Sequence, residues 1–342
     1  MVQQKVVIFN EIPQGIPEPG KALKVMEEEI DLDASLPSGS VLVKVKALSL
    51  DPYMRGRMRD ASKESYVPAF DLGKPIQNFG VAEVVKSENE KVLKGAHLYG
   101  HFEFKEYSVL PKEQAEQYRV LNNKEGLPWT TWVGAAGMPG QTAWWGINQI
   151  GKPQKGETVF VSGASGPVGQ MSIALAHLAG AKVIASAGSD EKVAYLRDEL
   201  KVEVAFNYKK EKTQEVLEKY KKEQGGFQCF VDNVAGPTLE AVLNTIEKRG
   251  RIVSIGAIND YNGEPYGIKN IFQIVAKELK VEGFIILNHD ISPFYDEIPK
   301  LIGEGKVPKP KEHIDVGLDS VPQAFKALFT GDNFGKAAIS LE

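Results

Sequence analysis

Cysteine is almost missing from this sequence: Cys229 is the only one in 342 residues. No intramolecular disulfide can form, which excludes a disulfide-stapled secreted scaffold and fits a reducing compartment. Histidine is scarce as well, at His97, His101, His177, His289 and His313. A catalytic zinc needs three protein ligands, chiefly His, Cys and Glu. His97 and His101 have i, i+4 spacing, but Gly95 and Gly100 beside them argue against a helix. Neither His-Glu-x-x-His nor paired Cys-x-x-Cys occurs, so no metal site is predicted. Cys229 falls in a predicted core strand, where a buried inert thiol is the expected role.

An excess of one charge is lacking too. The formal charge is only −4, and lysine-rich runs such as KKEKTQEVLEKYKKEQ are interleaved with glutamates at helical spacing, the pattern of a solvated helix. No basic surface for nucleic acid or anionic membrane follows, and small uncharged partners are favoured. No window approaches the roughly 20 apolar residues of a membrane span. The N-terminal MVQQKVVIFNEIPQG holds a short β-like run broken by Glu11 and Pro13, too short for a signal peptide, so a cytoplasmic location is expected. A Gly-x-Ser-x-Gly elbow is absent, leaving acyl transfer without support.

What is present divides in two, as the length of the chain favours. To about residue 125, short β-branched runs (KVVIFN, VLVKVKALSL, GVAEVVKS, EYSVL) alternate with Gly/Pro punctuation and predict an antiparallel β domain. From about Trp129, strands and helices alternate, which predicts a parallel sheet with crossover helices. The predicted strands are Thr158–Ser162, Lys182–Ala187, Val202–Phe206, Gln228–Val231, Arg251–Ile255 and Lys280–Leu287. Helices are predicted over Val168–Ala179, Glu191–Leu200, Glu211–Glu223, Leu239–Ile246 and Pro293–Gly303. About six strands is the count of a Rossmann, doubly wound dinucleotide-binding sheet. The last segment reads as strand, helix and closing strand (KAAISL) and is expected to return to the first domain. The domain reading is therefore 1–128 completed by 310–342, with 129–309 binding the cofactor.

Between the first strand and its helix lies SGASGPVGQ, in which Gly163, Gly166 and Gly169 have G-x-x-G-x-x-G spacing. Small residues permit a sharp turn and close backbone approach, and the helix start offers free N–H groups to a pyrophosphate. The turn Gly163-Ala164-Ser165-Gly166-Pro167-Val168-Gly169 is the predicted pyrophosphate cradle; the plainer alternative is a glycine-rich βα turn. An NAD enzyme usually closes its second strand with an acid for the ribose 2′-hydroxyl. Here the strand runs into Gly188 and Ser189, while Asp190 and Glu191 fit the start of the next helix. Lys192, with Tyr208 at the end of the third strand, favours a 2′-phosphate and hence NADPH. A solvated surface lysine is the competing explanation of Lys192. Ile255, and Phe284, Ile285 and Ile286 of the sixth predicted strand, are further cofactor candidates. The turn-rich segment Gly256–Ile271 follows a strand end, where open α/β sheets bind ligands, so its tyrosines are suspects. Hydride transfer without metal or flavin motif points to a substrate already polarised, such as an alkene conjugated to a carbonyl.

The motifs LSLDPYMRGRM (48–58), GAAGMPGQTAWWG (134–146), SGASGPVGQ (162–170), SAGSDEKV (186–193), FNYK (206–209), VDNVAG (231–236), GRIVSIGAINDYN (250–262) and DNFGK (332–336) together are distinctive. Nearly end to end, the chain resembles the zinc-independent medium-chain dehydrogenase/reductases of the alkenal double-bond reductase and prostaglandin reductase group. The resemblance implies a GroES-like substrate domain split around a central NADPH domain, in a homodimer. Zinc-dependent relatives carry their first metal ligand in the region matching Ser49–Tyr53, which here reads Ser-Leu-Asp-Pro-Tyr. By the same resemblance Tyr53 borders the substrate, and Tyr261 lies near the nicotinamide ribose and the substrate carbonyl. Packing and loop polarity would otherwise explain the two. Phe79 replaces the group's usual tyrosine in a Gly-Tyr-Gly motif, removing one polar contact from the substrate site. Met138, Thr142, Asn233 and Asn333 are implied to contact nicotinamide or ribose. The implied activity is NADPH-dependent reduction of the double bond of α,β-unsaturated aldehydes and ketones. Quinone reduction, carbonyl reduction and a non-catalytic NADPH-binding role remain as alternatives.

Overall fold

The computed structural model describes residues 1–342, which form two compact units: Met1–Gly134 with Glu312–Glu342, and Ala135–Lys311. In the first, β1 (Val2–Phe9) and β2 (Leu23–Ile30) form an antiparallel ribbon. β3 (Val41–Ser49), β4 (Gln77–Ser87), β5 (His97–Glu103) and β7 (Arg119–Val120) follow one another antiparallel in a second sheet, where β6 (Tyr107–Leu110) also pairs with β3. His97 and His101 thus lie along one extended strand, about 13 Å apart at ~3.3 Å per residue, rather than one helical turn apart.

The second unit holds the parallel sheet. Its strands β8 (Thr158–Val161), β9 (Lys182–Ala187), β10 (Val204–Asn207), β11 (Cys229–Asp232), β12 (Arg251–Ser254) and β13 (Lys280–Gly283) are ordered β10-β9-β8-β11-β12-β13. That is the 3-2-1-4-5-6 order of a dinucleotide-binding sheet, with its reversal between β8 and β11. Phe160 of β8 stacks on Phe230 of the adjacent β11 at 5.0 Å and, across β9, on Phe206 of β10 at 6.0 Å, so one aromatic layer of the core spans four strands of the sheet. Back in the first unit, β14 (Glu312–Val316) pairs parallel with β15 (Lys336–Ser340) across the helix Val321–Thr330, and β15 joins β3 antiparallel. No helix is long and apolar enough to cross a membrane.

The mixed α/β class expected from the sequence is the class found. The largest departure from the expected elements is the strand predicted over Lys280–Leu287, which ends at Gly283. β13 pairs only with β12, whose own pairing stops at Ser254 before the chain turns at Gly256, so Phe284, Ile285 and Ile286 have no strand to join. The helix predicted to begin at Glu191 begins at Asp190, because the Ser189 hydroxyl accepts a hydrogen bond from the Lys192 backbone N–H and caps it.

A glycine cradle and two tyrosine environments

The turn after β8 is shaped by backbone contacts that tolerate no side chain. Gly163 sits at φ +58°, and a Cβ on Gly169 would come within 2.6 Å of the Ala164 Cα and 2.7 Å of the Gly163 carbonyl oxygen. Gly169 therefore lets the helix Pro167–Leu178 pack directly onto the turn. The turn is pinned from both sides: the Ala164 N–H donates to Ser186 O at 3.0 Å, and Gln170 Nε2 donates to Ser165 O at 2.8 Å. Gln170 Oε1 in turn accepts from the Tyr195 hydroxyl at 2.6 Å. Gly163, Ser165, Gly166, Pro167 and Val168 are partly exposed at the helix start, where first-turn amides have no partner within the helix. The residues present thus fit a pyrophosphate.

At the end of β9, Gly188 lies against the Tyr208 hydroxyl, which a Cβ at that position would approach to 2.9 Å. Gly188, Ser189 and Tyr208 are brought together, and Lys192 is half-buried in the first turn above the Ser189 cap. Asp190, the first carboxylate after the strand, is engaged by the Lys210 ammonium and by Asn207 Nδ2 at 2.8 Å, which holds it below the ordinary carboxylate range.

Around the ends of β11 and β12 a second turn supports the loop that carries Tyr261. The buried Asp232 carboxylate accepts through Oδ1 from the backbone N–H groups of Val234 (3.0 Å) and Ala235 (2.8 Å) and from the Ser162 hydroxyl (3.2 Å). Burial nevertheless raises its pKa. Asn233 Nδ2 donates to Ser162 O at 2.8 Å. The carbonyls of Asn233 and Val234 accept from the N–H groups of Ile258 and Asn259, so the 258–261 turn is built on this one. Tyr261 folds back over Gly256, its hydroxyl 3.5 Å from where a Cβ there would sit, with the Ala257 backbone hydrogen-bonded to it; burial raises its pKa. Ile255 is half-buried beside it in sequence, Ile286 is buried, and Ile285 is 38% exposed. Met138 begins the helix Met138–Trp145, and the Thr142 hydroxyl donates to its carbonyl at 2.8 Å.

Asp232 was not singled out by the sequence reading; an acid at a strand end three residues before an Ala-Gly turn is the signal that marks it. Ala235 stands at φ 62°, ψ −148°, a region essentially reserved for glycine. Ala235→Gly is therefore expected to raise the unfolding free energy by about 1 kcal/mol, measured by denaturant titration; an unchanged or lower midpoint would count against strain at this turn.

In the first unit, Tyr53 follows the end of β3, and its hydroxyl donates to Asn78 Oδ1 at 2.5 Å. Phe79 is buried, against His101 (4.1 Å between ring centroids) and Tyr99 (5.4 Å). Burial, with the Arg57 charge second, pushes His101 down to about 4, leaving it neutral at physiological pH. Asn333 lies in the turn before β15, its Nδ2 donating to Gly335 O at 3.3 Å. No group of three or more His, Cys, Asp and Glu side chains is arranged to hold a metal ion. Cys229 is fully buried, which pushes its thiol up to about 12.

Comparison with known proteins agrees with this geometry. Residues 167–301 match the family described as zinc-binding dehydrogenase, and residues 5–118 match the N-terminal domain of oxidoreductase. An NADP-dependent oxidoreductase of Cochliobolus heterostrophus is 38% identical over all of this chain and 98% of its own length. A 2-alkenal reductase (NADP(+)-dependent) of Nicotiana tabacum is 38% identical over 99% of this chain and 97% of its own. The crystal structure of CurA in complex with NADPH from Vibrio vulnificus superposes with a TM-score of 0.88 at 29% identity, covering 99% of each chain. The chain belongs to the medium-chain dehydrogenase/reductase family. It is an NADP-dependent oxidoreductase, and NADPH is its cofactor.

Proposed function

We propose that the protein reduces the carbon–carbon double bond of α,β-unsaturated aldehydes and ketones, without zinc. The observation that carries the reading is Tyr261, a neutral phenol folded over the end of β12 in the unit that holds the glycine cradle. The likeness to the tobacco 2-alkenal reductase supports the substrate class. NADPH would be held by the Gly163–Gly169 turn at its pyrophosphate and by Ser189, Lys192 and Tyr208 at its 2′-phosphate. Met138, Thr142, Asn233, Ile255, Phe284, Ile285, Ile286 and Asn333 would serve the nicotinamide end. When bound, it supplies a hydride, which the β-carbon of a conjugated alkene accepts. The chain's part is to stabilise the carbonyl oxygen as it gains negative charge, by a hydrogen bond from the Tyr261 hydroxyl, with Tyr53 and Phe79 walling the substrate.

Comparing kcat/KM for an enal, its saturated aldehyde and a quinone tests this reading. The enal is expected to be preferred over both; preference for the aldehyde would make the enzyme a carbonyl reductase, and preference for the quinone a quinone reductase. Prolonged chelation should leave turnover intact, because no three-ligand group is present. Stoichiometric zinc in active protein, with loss of turnover on its removal, would overturn the metal-free reading.

The working form is proposed to be a homodimer. β13 is an edge strand with one partner, and the exposed Ile271, Phe272, Val275, Val281, Ile285 and Leu287 surround it in sequence, Phe272 at 70% and Val275 at 68% exposure. An apolar free edge of this kind invites pairing with a second copy. Light scattering should give a dimer for the wild type and a monomer for Val281→Lys; a wild-type monomer at micromolar concentration would contradict this.

A further inference from the structure

The strongest unassigned feature is a buried polar chain in the first unit. Lys336 is 1% exposed, and its ammonium donates to Leu50 O (2.7 Å), Ala337 O (2.7 Å) and Asp51 Oδ1 (3.2 Å), which uses all three of its donors. Asp51, 4% exposed, receives the Ser49 hydroxyl and, at 2.9 Å, Asn78 Nδ2 on its other oxygen. Asn78 is fully buried, and the same Nδ2 also donates to Ser49 O at 2.9 Å.

These partners fix the direction of the amide. Turning Asn78 over would press Oδ1 against the Asp51 carboxylate and the Ser49 carbonyl, setting acceptor against acceptor in a dry site. Asn78 Oδ1 must therefore face Tyr53, and an amide oxygen can only accept. The Tyr53 proton is spent on that bond, which at 2.5 Å is short for O–H···O. The Arg57 guanidinium, a donor without acceptors, is also hydrogen-bonded to Tyr53 and leaves the same polarity.

We infer that Asp51, Lys336 and Asn78 are positioning residues that commit the Tyr53 proton inward, so that Tyr53 meets a bound molecule only as a hydrogen-bond acceptor. This rests on the reading that Tyr53 borders the substrate. Tyr53 then cannot donate to a substrate carbonyl or protonate a carbon, and it selects molecules that bring a donor of their own. A hydroxyl on the substrate fits it, and an ether oxygen in the same place does not.

Two measurements on the full-length protein with NADPH test this. The first is NMR with tyrosine labelled at Cζ: the Tyr53 hydroxyl proton should be protected from exchange in the wild type, vanish in Tyr53→Phe, and lose protection in Asn78→Leu. An unprotected proton in the wild type would overturn the fixed polarity. The second uses two enones of equal length, one ending in a hydroxyl and the other in its methyl ether. The wild type should favour the hydroxyl enone through KM by about 2- to 10-fold, the range of one net hydrogen bond. Tyr53→Phe should abolish that preference, bringing KM for the hydroxyl enone to that for its methyl ether. Asp51→Asn, which keeps the size of the side chain but lets the Asn78 amide turn, should weaken it. A wild-type preference for the ether, or an equal loss on both enones in kcat, would overturn acceptor-only selection. A protected proton together with unchanged KM for both enones in Tyr53→Phe would instead overturn the placement of Tyr53 beside the substrate, and the selection with it.

Discussion

Tyr261→Phe is expected to lower kcat by about 10- to 100-fold while leaving KM for the enal within a few-fold. The substitution keeps the ring that covers Gly256 and removes only the hydroxyl. Removing a preorganised oxyanion donor elsewhere costs about 100- to 1,000-fold, and a phenol at the partly exposed end of a strand should fall at or below that range. A contact made mainly in the transition state appears in kcat rather than in binding. The sign of the pH dependence follows from burial, which raises the Tyr261 pKa. A phenol ordinarily ionises near pH 10, so the raised group stays protonated and able to donate throughout pH 6–9, and kcat should show no alkaline loss from this residue in that window. Wild-type kcat in the Phe variant, under conditions where a deuteride isotope effect shows hydride transfer to limit the rate, would remove Tyr261 from the chemistry.

Lys192→Ala carries the other large effect. β9 runs out into Gly188 and Ser189 without a carboxylate for a ribose hydroxyl, and Asp190 is taken up by Lys210 and Asn207. Lys192 stands in the first turn of the helix that Ser189 caps, and Gly188, just before that cap, lies against the Tyr208 hydroxyl. A charge-assisted hydrogen bond contributes about 1.5–3 kcal/mol, so the alanine variant should bind NADPH about 10- to 150-fold more weakly and NADH nearly unchanged. Fluorescence titration of both cofactors decides the matter: equal losses for the two would dissociate Lys192 from the phosphate.

How far the sequence carried depended on whether a feature is local. The G-x-x-G-x-x-G turn is a matter of neighbouring residues, and the contacts of Gly169 with Ala164 and Gly163 are the close approach that its spacing implies. The alternation of strands and helices likewise predicted a doubly wound parallel sheet because each element carries its own period. The end of β13 was not legible, since Phe284–Leu287 is as β-like as the strand before it; only the early end of its partner β12 stops the pairing. The Tyr53 environment was less legible still. Asp51 lies within a motif that was recognised, but its lysine is 285 residues away on β15 and its amide partner is on β4. Nothing in the periodicity of any one strand announces that these three side chains share a dry site. Asp232 was missed for a related reason: its role is to hold backbone N–H groups of a strained turn, which leaves a local Asx-type signal but no chemical motif.

The most direct test of alkene reduction follows the hydride itself. Purified protein is given NADPH deuterated at the transferred position and a simple enal, and the product is analysed by mass spectrometry and NMR. The saturated aldehyde, with one deuterium on its β-carbon for each NADPH consumed, is the expected result. An allylic alcohol with deuterium on the former carbonyl carbon, or no deuterium transfer to any enal or enone despite tight NADPH binding, would contradict it.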